Sequence, residues 1–277
     1  MENIDFIFLD SGTGGLPYMQ YLNGCCPHAK CVYIADTKNF PYGEKTAEQI
    51  IHAASNVVSL ALSKWNPKAI VLACNTMSVT ALPFLRNHFP DVPFIGTVPA
   101  IKLAAELSHN GRIGLLATNK TVTDPYTKEL IEKYASDCLV FSRGDSDLID
   151  FIEHKLFKAN EYEKLNAIKP AVEFFEKNKV DTIILGCTHF VHIVDDIKKL
   201  VKNNAQIIDS RGGVIRQALK VAFNTFSTDE YKSSVTEPSF DKYFFVTSLK
   251  TIEEKDLYMS LCERFSLTFG GELFHQN

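Results

Sequence analysis

The chain has 277 residues, a net charge of −4 and an ordinary globular composition, enough for one large hydrophobic core or two smaller ones. That charge, with no basic stripe, argues against a general nucleic-acid binder. No segment reaches the roughly 18 uninterrupted apolar residues of a membrane-spanning helix, so no membrane partner is expected. Met1-Glu-Asn-Ile-Asp5 lacks the basic region of a secretory leader. The seven cysteines, an odd number, are expected to be reduced thiols in a cytoplasmic protein.

Strand-like and helix-like segments alternate along the chain. Residues 4–9 read as a first strand, followed by the tight loop Asp10-Ser-Gly-Thr-Gly-Gly15. Residues 31–35 form a second strand ending at Asp36, and 46–64 a long helix with Ile50, Val57, Val58, Ala61 and Leu62 near helical spacing. A third strand at 69–73 leads into a helix at 77–88, and 93–96 is a short fourth strand. Strands at 112–117, 138–142 and 181–186 continue the series, with helices at 121–134, 146–156 and 161–178 between them. The helix after Cys187 has Asp195 and Asp196 early and Lys198, Lys199 and Lys202 late, an order that complements a helix dipole. Residues 207–208 end in Asp209-Ser-Arg-Gly-Gly213, echoing the first loop. The polar stretch 227–239 reads as a surface loop, and the end of the chain as a strand at 242–246 and a helix at 257–265.

This rhythm predicts an α/β fold with mostly parallel sheets. Two near-duplicate settings, Ala69-Ile-Val-Leu-Ala-Cys74-Asn-Thr-Met-Ser78 and Thr182-Ile-Ile-Leu-Gly-Cys187-Thr-His-Phe-Val191, suggest two similar Rossmann-like lobes. The first is expected to comprise 1–97 plus 211–277, with Asp10 and Cys74; the second 98–210, with Cys187 and His189.

Each of these cysteines follows a buried-strand pattern and precedes polar residues suited to opening a helix. Parallel α/β proteins put their sites at that end of a strand, and the helix field there favours a thiolate. A free cysteine is often only a small buried apolar residue, but the duplication favours chemistry. Two such thiols facing one pocket could take a proton from one face of a carbon and return one to the other. Helix amides, Thr76, Thr188 and His189 could tune them, and His189 suits a proton relay or thiol tuning.

Other features are more open. Gly12, Gly14 and Gly15 either cradle a carboxylate on their amides or simply make a strand-to-helix turn. The dinucleotide pattern fails because position 17 is Pro17, and no P-loop lysine follows. The loop from Asp36 to Gly43, with Pro41 and Tyr42, either borders a ligand or is a surface turn. Asp150 and Glu153, three apart on one helix, read as a solvated face. Cys25, Cys26, His28 and Cys31 lack paired zinc-ligand spacing, so no metal is expected.

Taken together and in order, Leu9-Asp-Ser-Gly-Thr-Gly-Gly-Leu16, Asp36-Thr-Lys-Asn-Phe-Pro-Tyr-Gly-Glu-Lys45, Ala73-Cys-Asn-Thr76, Leu185-Gly-Cys-Thr-His-Phe190 and Ile208-Asp-Ser210 resemble the glutamate racemases of the aspartate/glutamate racemase superfamily. The resemblance covers about positions 4 to 215. It implies a cofactor-free enzyme that interconverts L- and D-glutamate and supplies D-glutamate for peptidoglycan, with its site in the cleft between the lobes and a homodimer as the assembly. The cysteine matching Cys74 takes the proton from D-glutamate and that matching Cys187 from L-glutamate, with Asp10 near the first thiol and His189 near the second. Ser11, Pro41, Tyr42, Gly43, Asn75, Thr76, Thr118, Thr121 and Thr188 match or lie near positions that hold the substrate, as do Asp10 and His189.

There are departures from the family pattern. A family Glu that assists the second thiol aligns with Asp150, one methylene shorter, making Asp150 the expected auxiliary. Pro99 stands where the family often has Glu, and Val98-Pro-Ala-Ile-Lys102 is similar to the branch activated by a muramyl-alanine nucleotide. Members of that branch commonly carry an N-terminal extension, whereas the first strand begins here by Ile4. Val191-His192 replaces a usual Pro. An aspartate racemase of the same superfamily and a catalytically silent amino-acid-binding module are the alternatives.

Overall fold

Runs of Ile, Val, Leu and Phe become strands covered on both faces, as parallel strands flanked by helices must be. The computed structural model describes residues 1–202, 204–224 and 242–274; the loop expected at 227–239 lies outside them. β1 (Glu2–Asp10) is followed by α1 (Leu16–Cys25), which has a proline in its first turn where no backbone donor is needed. β2 (Cys31–Ala35) is buried throughout. Two short 3-10 turns, Thr37–Asn39 and Tyr42–Glu44, shape the loop after it.

α2 (Ala47–Lys64) starts at a capping box in which the Thr46 hydroxyl accepts from the Gln49 amide and the Gln49 side chain accepts from Thr46 N–H. Its Ile50, Ala54, Val57, Val58 and Ala61 recur at helical spacing and are buried. Each large side chain so buried contributes about 1.5–3 kcal/mol. β3 (Trp65–Leu72), α3 (Asn75–His88) and β4 (Phe94–Gly96) follow.

The second unit spans Val98–Ser210. It contains α4 (Ile101–Leu107), β5 (Arg112–Ala117), α5 (Asn119–Thr123) and α6 (Pro125–Tyr134). One helix was expected over 121–134. Pro125 splits it, because the residue before a proline is pushed out of the helical region; Asp124 is extended and caps α6 by accepting from the Tyr126 amide. β6 (Leu139–Gly144), α7 (Ser146–His154), α8 (Glu161–Lys177) and β7 (Thr182–Leu185) come next. After Cys187 the chain forms a 3-10 helix, Thr188–Ile193, before α9 (Val194–Leu200) and β8 (Gln206–Ile208). Asp181 ties this unit's strand entrances together: its carboxylate accepts from Ser108 Oγ at 2.6 Å and from the His109 and Asn110 amides at 2.8 Å.

α10 (Arg211–Phe223), β9 (Lys242–Val246), α11 (Ile252–Phe265) and β10 (Thr268–Glu272) return to the first unit, which comprises Met1–Thr97 and the chain from Arg211 onward. α10 and β10 carry no strong pattern in sequence; β10 contains Gly270 and Gly271.

Both sheets are parallel among the described residues. The first runs β10-β9-β2-β1-β3-β4 and the second β6-β5-β7-β8. In the first sheet, β2 lies on one side of β1 and β3 on the other. In the second, β6 and β7 flank β5 in the same way. Each sheet therefore reverses direction once beside its first strand, between β1 and β3 and between β5 and β7. At such points successive connections leave on opposite faces and open a crevice at the carboxyl ends of the strands.

Candidate active site

Each switch point carries one of the two cysteines. In the first unit Leu9 pairs with Leu72 and Asp10 with Ala35, so Asp10, Asp36 and Cys74 lie along one edge of three adjacent strands. Cys74 is 5% exposed and occupies the residue just before α3, in extended backbone. Asn75 and Thr76 open that helix and are buried. Neither Asn75 amide atom has a hydrogen-bond partner within the described protein. Such a buried amide is costly unless a ligand completes it.

Asp10 is fully buried, and both its oxygens are held. Oδ1 accepts from the Ser11 amide at 2.7 Å and Oδ2 from the Gly15 amide at 2.6 Å. Gly15 has to be glycine for reasons of space: a Cβ there would lie 2.6 Å from Ala73 Cβ and 2.9 Å from Tyr33 OH. The glycine-rich loop is thus folded tightly around its own aspartate.

The 36–43 loop is organised by Asp36. Its carboxylate accepts from Tyr42 OH at 2.7 Å, Asn39 Nδ2 at 3.0 Å and Thr247 Oγ1 at 2.7 Å. Burial, and next the charge of Asp36, raise the Tyr42 pKa well above its ordinary value, with Cys74 and Asp10 adding to the effect. Tyr42 is therefore a neutral phenol close to both the thiol and Asp10. Pro41 and Gly43 flank it at partial exposure. A cavity of ≈ 840 Å³ on this unit, lined by Asp36, Lys45, His52 and Thr247, includes neither Cys74 nor Asp10.

In the second unit Leu116 pairs with Leu185, so Thr118 and Cys187 follow neighbouring strand ends. Thr118 caps α5, its hydroxyl accepting from the Thr121 amide and lying 3.0 Å from Thr121 Oγ1; both threonines are buried. Gly186 lets the chain pass close to β5, since a Cβ there would lie 2.6 Å from Leu115 Cδ1. Cys187 (5% exposed) and Thr188 (1%) follow, again with extended backbone at the cysteine.

The second thiol has an imidazole partner. Cys187 Sγ is 3.7 Å from His189 Nδ1, and His189 Nε2 is 2.9 Å from Glu153 Oε2. Burial opposes charge on this imidazole. Hydrogen bonds to Cys187 and Glu153, with their negative charge, outweigh burial and raise the His189 pKa well above 6.5.

The carboxylate that reaches His189 is Glu153, not Asp150. Asp150 is 58% exposed and 3.6 Å from His154, whereas Glu153 is 2% exposed. The cause is helical phase: Glu153 stands four residues after Ile149 and one after Ile152, on the buried face of α7. The expectation of a solvated acidic face is corrected in the same way, since it holds for Asp150 alone. Asp145 fixes the start of α7 by accepting from the Leu148 amide, and Arg143 donates to it at 2.8 Å. His192 packs edge-on against Phe157.

The remaining cysteines are unbridged. Burial raises the thiol pKa of Cys31, and that of Cys262 to about 12. Among the described residues no group of three or more His, Cys, Asp or Glu side chains is arranged to hold a metal, and no helix is long and apolar enough to cross a membrane.

Two α/β units with parallel sheets, each with a buried thiol at its switch point, one beside His189 and the other on the sheet edge that carries Asp10, define a protein equipped for acid–base chemistry by cysteine. The chain belongs to the Asp/Glu/Hydantoin racemase family, which matches residues 18–218 and so includes both thiols. The glutamate racemase of Treponema pallidum is 42% identical over 220 residues, covering 79% of this chain and 82% of its own. That of Proteus mirabilis is 40% identical over 224 residues, covering 80% and 77%. The crystal structure of Escherichia coli glutamate racemase in complex with L-glutamate and the activator UDP-MurNAc-ala is similar with a TM-score of 0.82 at 29% identity, covering 98% of each chain.

Proposed function

We propose that this chain is a glutamate racemase that interconverts L- and D-glutamate with two thiols and no cofactor. The observation that carries the reading is the pair of buried cysteines at equivalent switch points, Cys187 beside His189 and Cys74 on the sheet edge that carries Asp10. The relatives from Treponema pallidum and Proteus mirabilis, about 40% identical and named glutamate racemase, support glutamate over aspartate as the substrate.

The reaction removes an α-proton from a carbon that already bears a carboxylate, so negative charge builds up on that carboxylate. In the proposed scheme the Cys74 thiolate takes the proton of D-glutamate and becomes a thiol. The Cys187 thiol then gives its proton to the opposite face and becomes the thiolate; the reverse reaction starts from that state. The scheme requires both sulfurs to reach one substrate carbon. Backbone amides, Asn75, Thr76 and Thr188 are assigned to the developing charge, since pre-positioned donors act most strongly where water is excluded. Ser11, Tyr42, Gly43, Thr118 and Thr121 are assigned to the rest of the substrate. On the second side, His189 held as imidazolium by Glu153 presents Nδ1–H to the Cys187 thiolate. On the first side, Asp10 is the matching helper.

Circular dichroism of L-glutamate incubated with the purified chain and no added cofactor should decay to zero. Serine at Cys74 or Cys187 should lower that rate by at least 10²–10⁴, the usual worth of a general acid or base. Near wild-type turnover in either variant sinks the two-thiol scheme, and turnover of aspartate but not glutamate sinks the substrate assignment.

The proposal extends to activation by a muramyl-alanine nucleotide, supported by Val98-Pro-Ala-Ile-Lys102 and by the activator bound to the E. coli relative. The same assay with UDP-MurNAc-ala should run faster; an unchanged rate removes this extension. D-glutamate for peptidoglycan is the corresponding role in the cell, and a homodimer the proposed assembly.

A further inference from the structure

The glycine-rich loop that holds Asp10 has a clamp inside the sheet. Tyr33 lies in the middle of β2 with no exposed surface. Its phenol donates to the Gly12 carbonyl at 2.8 Å and accepts from the Gly15 amide at 3.0 Å. It also lies 3.4 Å from Asp10 Oδ2. A phenol has one proton, and the shorter contact gives it to Gly12. The Gly15 N–H is shared between Tyr33 and Asp10, so the phenol oxygen joins both ends of the turn and the Gly15 amide links that turn to the carboxylate inside it.

The ring cannot easily move. It stacks on Phe244 of β9 at 5.4 Å and 11°, and Phe244 is itself packed against Tyr258 and Phe269. Gly15 is also held against Ala73, the residue before Cys74. A continuous set of contacts runs from β9 through Tyr33 and the loop to Ala73, the residue before the first thiol. All of these residues belong to one unit.

We propose that Tyr33 is a positioning residue for the Cys74 half of the reaction, its phenol pinning the 12–15 loop so that the Asp10 carboxylate is fixed beside that thiol. The inference rests on the racemase reading above. The phenylalanine variant keeps the ring and its stack on Phe244 but leaves the Gly12 carbonyl without this donor. The loop and Asp10 then sample more positions, and proton transfer at Cys74 slows while that at Cys187 does not.

Turnover rates alone cannot show this. Enantiomers are equal in free energy, so kcat/KM is the same in both directions for every variant. Isotope effects can, because they report which proton transfer limits the rate. The test compares α-deuterated D- and L-glutamate with their protiated forms in wild type and Tyr33→Phe. The expected result is a fall in kcat of roughly tenfold, about the worth of one lost site hydrogen bond. The isotope effect on kcat/KM should rise from D-glutamate and fall from L-glutamate.

Ile7→Val, in the core of β1, serves as a control that lowers Tm with both isotope effects unchanged. Cys74→Ser fixes the assignment independently, since it should exchange the α-proton of L-glutamate alone. Tyr33→Phe with wild-type isotope effects, or with equal changes from both enantiomers, overturns the proposal even if kcat falls. Failure of the wild-type chain to exchange either enantiomer instead overturns the racemase reading on which it rests.

Discussion

The two thiols have the same address and different neighbours. Each follows a central strand at the switch point of its own sheet, in extended backbone that opens a helical turn. On the sheet edge that carries Cys74, the ionisable group is an aspartate whose oxygens are held by the Ser11 and Gly15 amides. Beside Cys187, it is an imidazole backed by a buried glutamate. The first arrangement is a carboxyl group held by backbone amides in a tight loop. The second is an imidazole, its pKa raised, set between a thiol and a carboxylate from another helix. In the proposed scheme, one reactive group used twice is served by a geometric device on one side and an electrostatic one on the other.

The largest effect expected after loss of a thiol is at Glu153. Glu153→Gln leaves a buried imidazole without its counter-charge, and breaking a buried pair typically costs about 3–5 kcal/mol. Denaturant unfolding should show that loss, with kcat down roughly 10–100-fold. The pH dependence should change as well. The native His189 pKa is raised, so its stabilising contribution is fully present below the unfolded value of about 6.5 and fades as pH rises through the native one. Without Glu153 the upward pull on the His189 pKa is left to Cys187 alone, so the shift and that pH dependence should both shrink. An unaltered pH profile with unaltered stability would remove the electrostatic half of the comparison. The smallest effect is at Asp150: Asp150→Asn should keep kcat within about twofold, as expected of an exposed side chain. A large loss there would return the auxiliary role to Asp150.

Much of this was legible in sequence where burial is complete. The apolar runs before Cys74 and Cys187, residues 69–72 and 182–185, are buried throughout, so hydrophobicity alone located them and the thiols. The auxiliary carboxylate was not, because motif alignment pointed to Asp150 while the phase of Ile149 and Ile152 pointed to Glu153; weighing that phase would have found it. The break at Pro125 was also readable from the proline rule. Tyr33 left no signal. β2 is buried on both faces, so no alternation marks which side chain meets the glycine loop, and that contact is fixed only by the pairing of β1 with β2. The 3-10 turn after Cys187 was likewise hidden, since its residues resemble any helix start.

The central claim is that two separate thiols act on opposite faces of one carbon. Proton NMR of L-glutamate turned over in deuterated water tests it most directly. At early times the D-glutamate formed should carry deuterium at Cα while the remaining L-glutamate keeps its proton, because one thiol removes the proton and the other delivers a solvent-derived deuteron. D-glutamate that keeps the original proton would mean that a single base serves both faces, and would contradict the account.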